Sequence, residues 1–364
     1  MVSARISQTG HGGAAIRLAR ELGLPLTEIL DFSASINPLG VPVSALDAAH
    51  QALDDIVHYP EIDAASLVVA LAGHHSLPTE NLLAANGSTE LIYLLPRILR
   101  ARRALIVTPA FSEYEKAMMQ VGVPVDSFAL SADNNFRFDP EALLATIDDE
   151  VDLVVVANPG NPTAAGIDPD LLIYMADRLA GRAALVVDEA FVDFAPQLSL
   201  IAAVPKRENL YILRSMTKFY AIPGLRIGYL AGPEAAIRLM RQALPPWTIN
   251  TPALQAAIAC LQDSDYQQQT RTLIPQLRQD LADGLSSLGF TLFASVANYL
   301  LVQLPKGRLN AEVLTKRLTR EGILIRDCTN FSALDDRYIR LAVRTSEENT
   351  RLLTALRQVM TQAG

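Results

Sequence analysis

The sequence predicts an α/β fold, with a mostly parallel central sheet in a large domain and a small α+β domain beside it. Three observations carry that expectation. Short, nearly all-apolar runs recur in the middle of the chain, as strands covered on both faces do. Helix-like segments separate them, and repeated strand–helix order favours a parallel sheet. After about residue 250 the pattern changes to helical segments rich in Gln and Leu, followed by several short strand-like runs.

Taken in order, Asn86-Gly87-Ser88-Thr89-Glu90 is a Gly-containing turn that opens a helix with Leu91, Leu94, Leu95 and Leu99 on one stripe. The run Ala104–Val107 ends at Thr108-Pro109, and Leu153–Val156 ends at Asn158-Pro159-Gly160. Between Pro169 and Leu179, residues Leu171, Leu172, Met175 and Leu179 share a helical face. Ala184–Val187 ends at Asp188, and Tyr211–Leu213 ends at Arg214-Ser215. In the last third, strands are expected at 297–302, 322–326 and 338–343, and a helix at 311–320. A closing helix at 346–360 has Ser346 as its expected cap and Glu347 and Glu348 in its first turn. The expected division gives a large domain at 46–250, with 1–45 and 251–364 forming an N-terminal arm and the small domain.

Composition removes several function classes. Half of the 364 residues are hydrophobic and 19% are charged, which suits a globular chain with buried strands. The net charge is -8 and no Lys/Arg-rich run occurs, so neither a nucleic-acid footprint nor a polybasic membrane patch is expected. A few local arginines can still bind a small anion. The two cysteines, Cys260 and Cys328, build neither a metal site nor a disulfide framework, and they suit a reducing cytoplasm. The first residues lack an apolar secretory segment, and the apolar runs are too short to span a bilayer. A cytoplasmic protein without a metal is expected.

The chemistry is concentrated at the ends of the apolar runs. In open parallel sheets ligands bind beyond the carboxyl ends of the strands. Asp188 and Ser215–Lys218 end such runs here, and Asn161 lies in the loop after another. The turn at Ser88 and Thr89 leaves backbone N–H groups free for an anion, although the same turn serves equally as a plain helix cap. A buried carboxylate at Asp188 needs a cation, either a structural Arg or Lys or the protonated nitrogen of a ligand. The stretch 214-RSMTKFYAIPGLRIGY-229 sets Lys218 among hydroxyls, with Arg226 eight positions on.

These elements, in this order, resemble the fold-type I pyridoxal-phosphate enzymes over nearly the whole chain; a lysine–aldehyde linkage and an acidic partner for the pyridinium nitrogen are that cofactor's hallmarks. The resemblance implies that Lys218 carries the aldehyde, Asp188 pairs with the ring nitrogen, Asn161 bonds the ring hydroxyl oxygen and Phe111 stacks on the ring. It assigns the cofactor phosphate to Ser88, Thr89, Ser215, Thr217 and Arg226. Tyr59 matches a tyrosine that reaches the phosphate in the neighbouring subunit, which implies a homodimer. Two positions depart from the pattern. Ala164 stands where many relatives have Gly, and Phe191 stands where aminotransferases of this type carry a tyrosine.

More local patterns are Gly10-His11-Gly12-Gly13, 31-DFSASINPLG-40, 188-DEAFVDF-194, 245-PPWTIN-250 and 298-NYLL-301. Together they resemble the L-threonine-O-3-phosphate decarboxylases of cobalamin biosynthesis, a family close to the histidinol-phosphate aminotransferases. The resemblance implies decarboxylation of L-threonine O-3-phosphate to (R)-1-amino-2-propanol O-2-phosphate. Arg340 would bind the substrate carboxylate, Arg326 and His11 its phosphate, and Asn37 and Asn298 would line the pocket. Histidinol-phosphate aminotransferase activity, in histidine biosynthesis, is the alternative, because that family shares almost every residue named.

Overall fold

The computed structural model describes residues 12–307 and 309–362. Its main sheet has seven strands: β2 (Leu82–Ala85), β3 (Ala104–Thr108), β4 (Val125–Ala129), β5 (Leu153–Ala157), β6 (Ala184–Asp188), β7 (Leu210–Ser215) and β8 (Gly228–Ala231). Their spatial order is β2-β8-β7-β6-β5-β3-β4. From β7 to β4 neighbours run parallel, whereas β8 is antiparallel to both β2 and β7.

The alternation of each strand explains why these runs are apolar throughout. Val154, Val156, Leu185, Val187 and Ile212 face one layer, built from helices including Ala65–His75, Pro169–Leu179 and Thr251–Gln262. Leu153, Val155, Val186, Tyr211 and Leu213 face the other, built from helices Ser88–Ile98, Glu113–Gln120 and Glu234–Ala243. Full burial of each such side chain is worth about 1.5–3 kcal/mol, so both faces hold the sheet between its helices. The parallel strands consequently present their carboxyl ends along one edge.

Two smaller sheets complete the chain. One pairs β1 (Leu30–Asp31) in parallel with β11 (Ile323–Leu324). The other has the order β12-β13-β10-β9, with β9 at Thr291–Leu292, β10 at Tyr299–Gln303, β12 at Arg326–Asp327 and β13 at Tyr338–Ala342. Leu30 and Phe32 share a core with Leu300, Ile339 and Leu341, so the N-terminal segment packs with the C-terminal third.

The expected division at residue 250 does not coincide with a gap in packing. Ala253, Leu254, Ala257 and Cys260 belong to the main core, as do Tyr266 and Ile274. Within the same helix, Ser264–Ser287, residues Leu277, Leu281 and Leu285 belong to the second core. We therefore propose that the division lies inside this helix. The closing helix spans Ser346–Thr361, and its cap is Thr345 rather than Ser346. The Thr345 hydroxyl accepts from Glu348 N while Glu348 returns to the Thr345 backbone, a reciprocal capping box one residue earlier than expected. Among the described residues no helix is long and apolar enough to cross a membrane, and no group of three or more His, Cys, Asp or Glu could hold a metal ion.

Candidate functional site

A cavity of about 240 Å³ lies at the carboxyl edge of the main sheet. It collects Ser88, Thr89, Phe111, Asn161, Asp188, Ser215, Thr217, Lys218, Arg226, Arg326 and Arg340, all of them expected site residues. Four of its lining residues are basic and one is acidic. A chain of net charge -8 thus keeps a positive pocket for an anionic ligand.

The pocket's anion end is built where β2 and β7 stop and β8 begins. Gly87, at φ 78°, turns the chain from β2 into helix Ser88–Ile98. A Cβ at Gly87 would come within 2.6 Å of Arg226 Nη2, so only glycine lets that guanidinium lie over the turn. Gly228 begins β8 opposite both Ala85 and Ser215, and a Cβ there would sit 2.3 Å from Ser88 N. The helix start, with its unsatisfied N–H groups, is therefore pressed against the first residue of β8. Ser215 Oγ and Thr217 Oγ1 lie 2.8 Å apart on the same rim.

Asp188 closes β6 and is 6% exposed. Tyr114 Oη donates to its Oδ2 at 2.6 Å and Ala190 N to its Oδ1 at 2.8 Å. Burial nevertheless raises its pKa above the ordinary carboxylate value, against the pull of Tyr114, Ala190 and Lys218. A cation placed beside it would relieve that cost. Tyr114 was not legible as a site residue, although its helix follows β3 directly. Its hydroxyl is pushed well above its ordinary value by burial and by Asp188, so it stays a donor.

Lys218 follows β7 in the short helix Met216–Phe219, with Nζ 3.2 Å from Thr217 Oγ1. Burial, then Arg226 and Arg340, push its pKa down to about 8, with Asp188 opposing. An amine near 8 is available in its nucleophilic form at neutral pH, where an exposed lysine is not.

Arg340, on β13, is 7% exposed. Its Nη1 donates to Asn161 Oδ1 at 2.5 Å and its Nη2 to the Ser33 carbonyl at 2.8 Å. Its Cζ also lies 5.1 Å from the centre of the Tyr299 ring. The Ser33 turn is set by Asp31, whose Oδ1 accepts from Ser33 N, Ser33 Oγ and Ala34 N. Phe191 packs edge-on to Tyr299, and the Tyr299 hydroxyl donates to the Gly160 carbonyl at 2.6 Å.

Three expected residues stand elsewhere. Asn37 does not line the cavity: its Nδ2 donates to Phe219 O and Thr270 Oγ1, both at 2.8 Å. Its backbone N donates to Lys218 O at 3.1 Å, so Asn37 braces the lysine's segment from behind. Asn298 is fully buried just before β10 and also does not line the cavity. Tyr59 is 80% exposed, stacked on Trp247 at 4.8 Å, and outside the cavity of its own chain. His11 lies outside the described residues. Gly12 lines the cavity, and a Cβ there would come within 2.1 Å of Ser33 O.

The residues fit the cofactor that the motifs imply. The glycine-walled cup with Arg226, the buried carboxylate at Asp188 and the low-pKa amine of Lys218 suit a phosphate, a protonated ring nitrogen and an aldehyde respectively. Comparison with known proteins agrees. Residues 27–356 match the family model described as aminotransferase class I and II. The chain is 40% identical over 357 residues to the threonine-phosphate decarboxylase of Salmonella typhimurium, covering 97% of each. Among solved structures, the histidinol-phosphate aminotransferase from Clostridium acetobutylicum aligns at 32% identity and a TM-score of 0.86. The L-threonine-O-3-phosphate decarboxylase from Porphyromonas gingivalis aligns at 26% identity and a TM-score of 0.80. Each covers 92% of this chain and 100% of the other.

Proposed function

The chain belongs to the class I and II aminotransferase family, and from that premise we propose that it is a pyridoxal-phosphate-dependent decarboxylase of L-threonine O-3-phosphate, releasing CO2 and (R)-1-amino-2-propanol O-2-phosphate for cobalamin biosynthesis. The observation that carries this reading is the pair of guanidiniums, Arg340 and Arg326, on one cavity with Lys218. Two fixed cations suit a small substrate with two anionic ends. The likeness of fold does not choose the reaction, since this scaffold supports both a decarboxylase and an aminotransferase.

Pyridoxal phosphate, when bound in the cavity, would supply an electron sink for a bond broken at the substrate Cα. The residues of the chain decide which bond that is. Arg340, held by Asn161 and Ser33, offers a preset fork to the α-carboxylate, a geometry that favours bidentate pairing. Arg326 holds the phosphate. With both ends anchored, the α-carboxylate would be the group positioned to leave as CO2, with a proton taking its place at Cα. The amine and phosphate stay on the product, so no keto acid is consumed. Asp188 would keep a proton on the ring nitrogen, and Ser88, Thr89, Ser215, Thr217 and Arg226 would hold the cofactor phosphate. His11 assists Arg326.

The active species is read as a cytoplasmic homodimer. Tyr59 is exposed, and so are Ile56, Val57 and Ile62 close to it in the chain. A second copy covering this face would bury that apolar area and bring Tyr59 to the neighbouring cofactor phosphate.

The deciding experiment supplies L-threonine O-3-phosphate and pyridoxal phosphate without any keto acid. Stoichiometric CO2 and aminopropanol phosphate are expected. No such product, with glutamate formed from histidinol phosphate and 2-oxoglutarate, would replace the decarboxylase with an aminotransferase.

The lysine's environment gives a further expectation. Capture of pyridoxal phosphate by the cofactor-free protein requires the neutral amine, so its rate should rise about tenfold per pH unit and level off above about pH 8. A rate still climbing at pH 10, followed by absorbance after rapid mixing, would contradict the depressed pKa.

A further inference from the structure

Arg326 stands on β12 at the cavity wall, and the loop that follows it turns back onto it. Its Nη2 donates to Asn330 Oδ1 at 2.7 Å, and its Nη1 donates to the Asp327 carbonyl. Its Cζ lies 4.9 Å from the centre of the Phe331 ring, within the range of a cation–π contact. Phe331 lines the same cavity and is itself buried.

The platform under the guanidinium is rigid. Phe331 packs in an apolar cluster with Phe136, Phe293, Leu301 and Tyr338. Its backbone N donates to Cys328 O at 2.9 Å, and Cys328 N donates to Tyr338 O at 3.0 Å. Asp327 is turned into the loop, accepting from Thr329 N at 2.8 Å and Thr329 Oγ1 at 2.5 Å. Burial also weakens hydration of the Arg326 cation, which strengthens its attraction for an anion.

We propose that Asn330 and Phe331 are the positioning residues that make Arg326 selective for a phosphorylated substrate. This rests on the reading of Arg326 as the substrate-phosphate residue and assigns the selectivity to two neighbours that the motifs do not name. An arginine has many rotamers, and an anion that must first order one binds more weakly. Stacking on Phe331 fixes the guanidinium plane, and the Asn330 amide fixes its rotation within that plane. Together they give the guanidinium one preset orientation, which an incoming anion does not have to select.

The test compares holoenzyme variants Phe331→Leu, Asn330→Ala, Phe331→Tyr and Arg326→Ala. KM and kcat are measured with L-threonine O-phosphate, and the binding of unphosphorylated L-threonine is followed by the change in cofactor absorbance. Phe331→Leu and Asn330→Ala should each raise KM for the phosphorylated substrate about tenfold, with a far smaller effect on kcat. Binding of L-threonine should change by less than about twofold, and Phe331→Tyr, which keeps the ring face, should stay near wild type. Equal weakening of both amino acids, or an unchanged KM, would reduce Phe331 and Asn330 to packing residues and overturn the proposal. Arg326→Ala is the separate control on the phosphate reading. If it leaves the preference for the phosphorylated amino acid intact, that reading falls whatever the other variants do, and the selectivity proposal falls with it.

Discussion

Lys218→Ala lowers turnover by at least about 10⁴-fold and removes the absorbance of the lysine-bound cofactor. Lys218 is the one lysine among the residues that line the cavity, so no neighbour can take over the aldehyde. Among the described residues its amine makes one long contact, to Thr217, and burial already disfavours its charge. Removing it therefore costs the fold little, and the cofactor-free variant should melt at or above the wild-type temperature. Loss of activity together with an undiminished melting temperature separates a chemical role from a structural one. Turnover that survives without an added amine would remove Lys218 from the reaction.

Arg340→Ala should cost about 10²–10³-fold in kcat/KM, the size expected when one partner of a buried charge pair is truncated. The guanidinium is nearly buried, and its Nε has no hydrogen-bond partner among the described residues. Arg340→Lys should recover only part of the loss, because an ammonium cannot reproduce a planar fork. A second readout is independent of turnover. Arg340 helps to depress the Lys218 pKa, so its removal should move the pH at which cofactor capture levels off upward. A kcat/KM within about threefold of wild type would make Arg340 a structural ion, since the loss of any substrate-bound charge exceeds that.

What the sequence disclosed was whatever a residue type announces locally. Asp188, Lys218 and the hydroxyls of Ser215 and Thr217 stand at the ends of apolar runs, where a parallel sheet must put its ligand. Backbone groups announce nothing: the Ser33 carbonyl that fixes Arg340 lies 307 residues away from it and could be any residue's. Tyr114 reads as one more apolar helix residue until β3 and β6 are set in one sheet. Asn37 shows the opposite case, since a buried asparagine suits a brace as well as a pocket wall, and Asn298 is buried with neither amide atom paired among the described residues. β8 stayed hidden because it is four residues long and begins on a glycine inside the Arg226 motif. The closing cap was missed by one position because Thr345 and Ser346 are both hydroxyl residues, and only the spacing to Glu348 distinguishes them.

The reach of the Ser33–Arg340 contact has a consequence for how the protein is made. The cup around Ser88 cannot close until β8 has inserted between β2 and β7, and the Arg340 contacts to Asn161 and Ser33 cannot form until β13 has left the ribosome. Each half of the site thus waits for chain synthesised long after its first residue. The two halves are completed at different times, the cup once β8 has been made and the Arg340 contacts only near the end of synthesis.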